Sequence, residues 1–294
     1  MATMEPLAFY REPARMTSPG RHAARLDPLP SDVSALCEVA QGLVIHEHFA
    51  FAYGVALSDA DRATVQLRRV EDLLGAIIER DNRPLIERRP PQSRVAGNCR
   101  HFSVLTVALL RAKGVPARAR CGFGGYFNDG AFEDHWVVEY WNVEQSRWVL
   151  VDAQIDSGQR RMLPIDFDVT DVPRDRFLIG ADAWERCRAG DADPNRFGLS
   201  MINETGLWWV AGNLIRDAAA LGNLELLPWD TWGAMPSPED PIDDDLATFL
   251  DHLAVLTQKP DECFDELRAL LATDSRVAVP GTVNNHALQR DETI

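Results

Sequence analysis

The sequence predicts an α+β protein, with a helix packed on an antiparallel sheet and a mainly helical C-terminal portion. Two observations predict the first part: an apolar helical pattern that begins at Cys99, and two aromatic, β-branched segments joined by a short loop at 142–145. Helical patterns dominate the chain after Asp152 and predict the second part. We expect these later helices to cover one side of the core.

The helix that begins at Cys99 has clear signals at both ends. Asn98 is a favoured N-cap residue, and apolar side chains follow it at helical spacing. Lys113 lies in the predicted last turn, and Pro116 prevents the helix from continuing. The thiol therefore lies in the first turn, where the helix dipole favours a thiolate and the first N–H groups can hold an oxyanion.

The two strands after this helix bring a histidine and an aspartate together. They are predicted on either side of the loop Asn142–Gln145. If Trp141 pairs with Ser146, His135 lies directly opposite Asp152 on the neighbouring strand. A carboxylate there can orient the imidazole while the other ring nitrogen meets the thiol. The spacing thus predicts a thiol–imidazole–carboxylate triad.

Four segments resemble the transglutaminase-like (transglutaminase core) superfamily, which has a papain-like cysteine catalytic fold. These segments are Gly97–Arg100, Leu110–Arg118, Asp134–Glu139 and Trp148–Asp152. The resemblance extends over about Val33–Asp156. It implies that Cys99 is the nucleophile, that His135 is the general base and acid, and that Asp152 orients the imidazole.

Two departures from the family pattern affect the predicted site. Family members often have an acidic residue after the Cys–Arg pair, where this chain has His101, which we interpret as a packing or substrate-contact residue. Several transglutaminases use an upstream tryptophan as the second oxyanion donor, but all eight tryptophans here follow Cys99. Another upstream residue must replace that donor. The candidates for the oxyanion or for substrate contact are, in order, His46, Gln41 and Tyr53, with His48 as a further one.

The histidines on either side of Glu47 admit other interpretations. A His-x-His pair can bind metal, with Cys99, His101 and Cys121 as further imaginable ligands. However, no standard zinc spacing is present, and tight zinc binding is incompatible with a catalytic thiol. A core histidine hydrogen-bonded to the backbone also stays open. We predict no metal and no cofactor.

Composition predicts a soluble, cytoplasmic, bacterial protein. The 294 residues carry a net charge of −15, which argues against nucleic acid and anionic membranes as partners. Five scattered cysteines fit a reducing compartment, and no apolar run has the length of a signal or membrane span. The near absence of lysine beside abundant arginine is typical of high-GC bacterial genomes. Nothing in the pattern indicates an oligomeric state.

The chain divides into four predicted segments. These are a loosely ordered arm (1–30), a catalytic core (31–165), a helical C-terminal portion (166–274) and a tail (275–294). Core helices are predicted from Asp32 to about Phe51 and from Asp59 to Arg80. Later helices are predicted at 181–188, 206–221, 243–256 and 261–272. Cys37, Cys187 and Cys263 are interpreted as small core hydrophobes.

The predicted function is acyl transfer through an acyl-thioenzyme. The thiol would attack an amide, ester or thioester carbonyl of a small-molecule or peptide acyl donor, and an amine or water would resolve the intermediate. Cleft shape and water exclusion choose the acceptor, so the triad does not distinguish transfer from hydrolysis. Two alternatives stay open: a cysteine protease or amidase acting by hydrolysis only, and a non-catalytic binding protein on the same fold.

Overall fold

The structure, a computed structural model, describes residues 5–294 and divides into two compact units. The first unit consists of Leu7–Ala119 and Val137–Val172. The second consists mainly of Arg120–Trp136 and Pro173–Ile294. The four segments predicted along the sequence stay a prediction.

Helices and short strands alternate along the described chain. The α-helices are α1 (Pro6–Phe9), α2 (Val33–Leu43), α3 (Asp59–Ala63), α4 (Val70–Arg80), α5 (Cys99–Ala112), α6 (Gly180–Ala189), α7 (Leu207–Leu221), α8 (Asp244–Gln258) and α9 (Phe264–Thr273). The strands are β1 (Val44–His46), β2 (Val95–Gly97), β3 (Ala117–Gly124), β4 (Phe132–Asn142), β5 (Arg147–Val151), β6 (Phe177–Ile179), β7 (Phe197–Leu199), β8 (Glu204–Thr205), β9 (Asp230–Thr231), β10 (Thr282–Asn285) and β11 (Arg290–Thr293).

Helix α5 is the centre of the first unit. Every residue from Cys99 to Arg111 is buried, as expected for a helix that packs on all sides. It packs against α2, α4, β1 and β2. The helix predicted to start at Cys99 is thus confirmed, and its first turn lies inside the unit.

The helix predicted from Asp32 to about Phe51 is shorter than predicted. The Asp32 carboxylate caps it by accepting a hydrogen bond from the N–H of Ala35 at 2.9 Å, but α2 ends at Leu43. Val44 takes an extended conformation and starts β1, which pairs in parallel with β2. A strand partner that lies about fifty residues away in sequence therefore ends the helix.

The helix predicted from Asp59 to Arg80 is interrupted. It separates into α3 and α4, and the chain is extended at Leu67 and Arg69 between them. The buried guanidinium of Arg100 donates to the carbonyls of Leu67 and Arg68 at 3.3 and 2.5 Å. Because these carbonyls accept hydrogen bonds from a side chain of α5, they do not accept the backbone bonds that would continue a helix.

The hairpin of β4 and β5 has a different register from the predicted one. Trp141 pairs with Trp148 rather than with Ser146, because Asn142 and Arg147 form a further pair and the loop moves to 143–146, where Ser146 takes a left-handed conformation (φ 51°). Continued by one pair, this register places Asp152 opposite Val137 instead of His135. The shift is two residues, so His135 still points to the same face of β4 as Val137.

The second unit contains α6 to α9, which agree with the predicted C-terminal helices. Its strand pairs are antiparallel for β3–β6 and β7–β8 and parallel for β4–β7. The segment 275–294, predicted to be a tail, forms the hairpin β10–β11, whose first strand also pairs with β9.

The predicted loose arm contributes to the core of the first unit. Tyr10, Met16 and Leu26 are buried. The guanidinium of Arg118 lies 5.0 Å from the ring centre of Tyr10 and 3.9 Å from that of Trp148. Through these cation–π contacts, Arg118 links residues near the N-terminus to β3 and β5.

Candidate active site

Cys99 is the first residue of α5 and directly follows the turn out of β2. Its side chain is 8% exposed. The turn is tight: a Cβ on Gly97 would approach within 2.9 Å of the His101 Cβ and the Val44 Cγ1. A glycine at this position therefore allows β2 and α5 to meet, and it places the thiol at the positive end of a buried helix.

His101 has a structural role that the sequence interpretation left open. Its Nδ1 accepts a hydrogen bond from the backbone N–H of Asn98 at 3.2 Å, which is the part usually taken by Glu or Gln in a capping box. Burial lowers the pKa of His101 to about 3. The interpretation as a packing residue fits this position, and substrate contact does not, because the side chain is fully buried.

His46 lies beside the strand that leads into Cys99. It is the last residue of β1, where it pairs with Gly97, and the N–H of Glu47 donates to the Gly97 carbonyl at 2.8 Å. The N–H of His48 donates to Nδ1 of His46 at 3.2 Å. That bond makes Nδ1 an acceptor, so in the neutral ring Nε2 is the donor nitrogen. The side chain of His48 itself is exposed.

Gln41, His46 and Tyr53 line one small pocket of the first unit, which is partly open to solvent. The Gln41 amide donates to the carbonyls of Ala153 and Ile155 at 3.2 and 3.4 Å. The Tyr53 hydroxyl donates to Asp156 at 2.6 Å. Their donors are thus engaged by the segment after Asp152. The role of His46, Gln41 or Tyr53 as the second oxyanion donor stays a prediction.

Asp152 directly follows β5 and is 1% exposed. Its backbone N–H donates to the Val169 carbonyl at 2.8 Å. Its Oδ1 accepts a hydrogen bond from the N–H of Gln154 at 3.0 Å. The carboxylate is therefore fixed by its own chain, as an orienting carboxylate must be. It belongs to the same unit as Cys99.

His135 lies on the part of β4 that belongs to the second unit, next to the point where the strand continues into the first. It is 2% exposed, and its ring centre lies 4.8 Å from that of Phe127, with Tyr126 and Phe177 at 5.9 and 6.2 Å. Aromatic rings thus restrict the orientation of the imidazole. The meeting of His135 with Cys99 and Asp152 stays a prediction.

The pocket also contains residues that the sequence reasoning did not single out. Arg94, Gln154 and Gln159 are buried there. A signal for the first was present, since Arg94 directly precedes the apolar run that becomes β2. A charge at the start of a buried strand has to be accommodated inside the protein.

Two further findings concern residues 5–294. Within this range, no three or more His, Cys, Asp or Glu side chains are grouped in a way that could hold a metal ion. No helix in the same range is long and apolar enough to cross a membrane.

Comparison with known proteins finds a family match over part of the chain. The sequence model of the transglutaminase-like superfamily matches residues 66–153, which include Cys99, His135 and Asp152. This segment is similar to the transglutaminase-like superfamily. The α+β core with a cysteine helix is thereby confirmed. The similarities support cysteine-dependent catalysis in general terms.

Individual relatives match only part of the chain. A protein-glutamine gamma-glutamyltransferase of Pseudomonas aeruginosa is 28% identical over 135 residues, which are 40% of this chain and 17% of that protein. A crystal structure of a proposed cysteine protease from Cytophaga hutchinsonii is similar with a TM-score of 0.36 and 18% identity, over 62% of this chain and 50% of that chain.

Alkylation by iodoacetamide near neutral pH is expected to modify Cys99 selectively. Burial raises the pKa of the Cys37 thiol to about 12 and that of Cys187 to about 11, so neither forms thiolate at pH 7–8. Cys121 is fully buried. Peptide mapping in a Cys263→Ser background should find one equivalent of label, absent in Cys99→Ala. Label on Cys37 or Cys187 instead of Cys99 would contradict this expectation.

Proposed function

We propose that the chain is a cysteine-dependent acyl transferase with Cys99, His135 and Asp152 as its triad. The observation that carries this proposal is the thiol in the first turn of a buried helix inside the transglutaminase-like segment. A helix N-terminus stabilises negative sulfur and supplies N–H groups for an oxyanion. The fixed carboxylate of Asp152 and the aromatic surroundings of His135 support their roles.

In the first step His135 takes the proton of Cys99, and the sulfur attacks the carbonyl carbon of the acyl donor. A carbon–sulfur bond forms and the carbonyl oxygen becomes an oxyanion. The imidazolium then gives its proton to the leaving amine or alcohol, the carbon–nitrogen or carbon–oxygen bond breaks, and an acyl thioester remains. Asp152 stabilises the imidazolium throughout.

In the second step an acceptor releases the acyl group. An amine or water gives its proton to His135 and attacks the thioester carbonyl, and the Cys99 thiolate leaves. An amine gives transfer and water gives hydrolysis. The name of the Pseudomonas aeruginosa relative makes the side-chain carboxamide of glutamine the first acyl donor to test, with a primary amine as acceptor.

The experiment is to incubate the protein with glutamine-containing peptides, with and without a primary amine, and to follow two products. Intact-protein mass spectrometry should detect an acyl adduct that maps to Cys99. Peptide mass spectrometry should detect the amine conjugate, and its replacement by the free acid without amine. Free acid in both cases would assign hydrolysis only. No adduct and no product over amide, ester and thioester donors would support a non-catalytic protein instead.

Substitution of His46 by alanine is expected to lower kcat by roughly 10²–10³-fold with little change in KM, because an oxyanion donor acts on the transition state. Gln41→Ala and Tyr53→Phe serve as matched variants, since their donors are engaged by the Ala153 and Ile155 carbonyls and by Asp156. The measurement is kcat and KM of all three variants by steady-state kinetics. If His46→Ala stays within a few-fold of wild type, the second donor lies elsewhere.

A further inference from the structure

The pocket lined by Gln41, His46 and Tyr53 contains a buried cation, and we call it the Arg94 pocket. Arg94 is 5% exposed. Its Nε donates to the Arg89 carbonyl at 3.1 Å, and its guanidinium lies 5.8 Å from the ring centre of Tyr53. Within residues 5–294, no carboxylate lies within ion-pair distance of Arg94, and no protein atom accepts a hydrogen bond from its two terminal nitrogens.

Asp156 also lines the pocket, but its carboxylate already accepts hydrogen bonds from other groups. Asp156 accepts hydrogen bonds from the Tyr53 hydroxyl at 2.6 Å and from the N–H groups of Gly158 and Gln159 at 2.8 and 3.0 Å. The exposed guanidinium of Arg88 pairs with its second oxygen at 3.2 Å. Burial and, after it, the charge of Arg88 lower the pKa of Arg94, and the nearby Asp156 and Tyr53 only partly oppose this lowering. A buried charge without a partner is costly, so a ligand that supplies an anion would find a prepared site.

A second polar group of the pocket is hydrogen-bonded at only one of its two atoms. Gln154 is 2% exposed, and its Nε2 donates to Oε1 of Gln159 at 3.0 Å. Its Oε1 is buried and receives no hydrogen bond from the described chain. Buried side-chain oxygens are normally hydrogen-bonded. The pocket therefore offers guanidinium donors for an anion and one acceptor for an N–H or O–H group.

The Arg94 pocket adjoins the proposed catalytic residues of the same unit. Phe102, one turn after Cys99 in α5, lines it, and His46 lies beside Gly97. The backbone of Gln154 holds the carboxylate of Asp152. The pocket is therefore lined by residues that neighbour Cys99 and Asp152 in the same unit.

We propose that the Arg94 pocket binds a carboxylate of the substrate, with Arg94 as its counter-ion and Gln154 Oε1 accepting an adjacent N–H. A carboxylate beside an N–H is the chemistry of an amino-acid unit. The inference rests on the proposed function and names its substrate class: an acyl donor or acceptor that carries a free amino-acid carboxylate. In a protein of net charge −15, a local cation is needed to hold such an anion.

Binding is tested in Cys99→Ala protein by calorimetry, with N-acetylglycine as probe and neutral N-acetylglycinamide as its match. The acid should bind at least roughly 10-fold more tightly than the amide, because a hydrogen bond to a charged partner is lost in the amide. Arg94→Gln should weaken binding of the acid by roughly 10–100-fold, and Arg94→Lys should restore part of it. Arg147→Gln is the control, since Arg147 is exposed, pairs with Asp171 and does not line the pocket, and it should bind as the parent does.

A further variant separates recognition from folding. Gln154→Glu places a carboxylate inside the pocket without removing Arg94, so it should raise the melting temperature and abolish binding of N-acetylglycine. If Arg94→Gln or Gln154→Glu binds the acid as tightly as the parent does, or if acid and amide bind equally, the inference is overturned.

Failure of the inference and failure of the proposed function give different results. The binding assay contains no Cys99 thiol, so it is independent of turnover. If Arg94-dependent binding is found but Cys99→Ala keeps its turnover, the proposed function fails and the carboxylate site stands. If Cys99→Ala is inactive but kcat/KM for acidic and amidated substrates falls equally in Arg94→Gln, the carboxylate site fails and the proposed function stands.

Discussion

Substitution of Cys99 by alanine is expected to abolish turnover, with a loss of roughly 10⁴-fold or more, the scale seen when a triad nucleophile is removed. Without the sulfur no acyl-thioenzyme forms, and the remaining oxyanion donors and binding groups give only a small residual rate. The loss should appear in kcat for every acyl donor, because the same covalent step is common to all of them. Steady-state kinetics and the absence of an acyl adduct in the mass spectrum are the measurements.

The fold should tolerate this change. Cys99 is the first residue of α5, and removing one sulfur atom from a first turn leaves the apolar side chains of the helix in place. We expect the melting temperature to shift by only a few degrees at most. Cys37→Ala is the matched control, since this thiol is also buried but its pKa of about 12 makes it unreactive. Turnover near the wild-type rate in Cys99→Ala would overturn the assignment of the nucleophile.

The cysteine helix could be predicted because its signals are local. The cap at Asn98 and the stop formed by Lys113 to Pro116 lie within a few residues of the helix ends, and α5 runs from Cys99 to Ala112. The same is true of α8, where Asp243 caps the helix through the N–H of Leu246. Capping depends on residues that are close in sequence, so the ends of these helices can be predicted without a structure.

The hairpin register could not be predicted from the strands alone. Its aromatic pattern suits a pairing of Trp141 with either Ser146 or Trp148, because both keep the same residues on the same face. The loop decides between them, and it does so through a left-handed Ser146 and an Asn142 side chain that accepts from two loop N–H groups. A left-handed serine is uncommon, so the sequence favoured a loop at 142–145 with Ser146 in the strand.

The missed helix ends have a different cause. The carbonyls of Leu67 and Arg68 are taken by Arg100, and β1 ends α2 by pairing with β2. Both partners lie far away in sequence, and periodicity records only the apolar face of a segment. The buried Arg94 was missed for the same reason, because its lack of a carboxylate partner is visible only once the surrounding chain is in place.

Substitution of Asp217 by alanine is expected to be the most destabilising single change in the second unit. Asp217, on α7, is fully buried and accepts two hydrogen bonds from Arg120, at 2.9 Å from Nε and 2.7 Å from Nη2. It also accepts the N–H of Cys121 at 2.8 Å. Alanine would leave a buried guanidinium and a buried N–H without this partner, and we expect a loss of roughly 3–5 kcal/mol in the free energy of unfolding.

Denaturant unfolding followed by tryptophan fluorescence measures this loss, and a surface pair provides the matched control. Arg147 and Asp171 also form an ion pair, but both side chains are 45% exposed. Asp171→Ala should therefore cost at most about 1 kcal/mol. If Asp217→Ala costs no more than Asp171→Ala, the buried pair does not organise this unit.

The double variant Arg120→Met, Asp217→Leu separates two explanations for the loss in Asp217→Ala. If the loss comes from an uncompensated buried charge, replacing both members with apolar side chains of similar size should recover most of the stability. If it comes instead from the N–H of Cys121 and from the Thr257 carbonyl, which accepts from Arg120 at 2.9 Å, the double variant should stay as unstable as the single one. We expect recovery, because a charge costs more to bury unpaired than a neutral backbone group does.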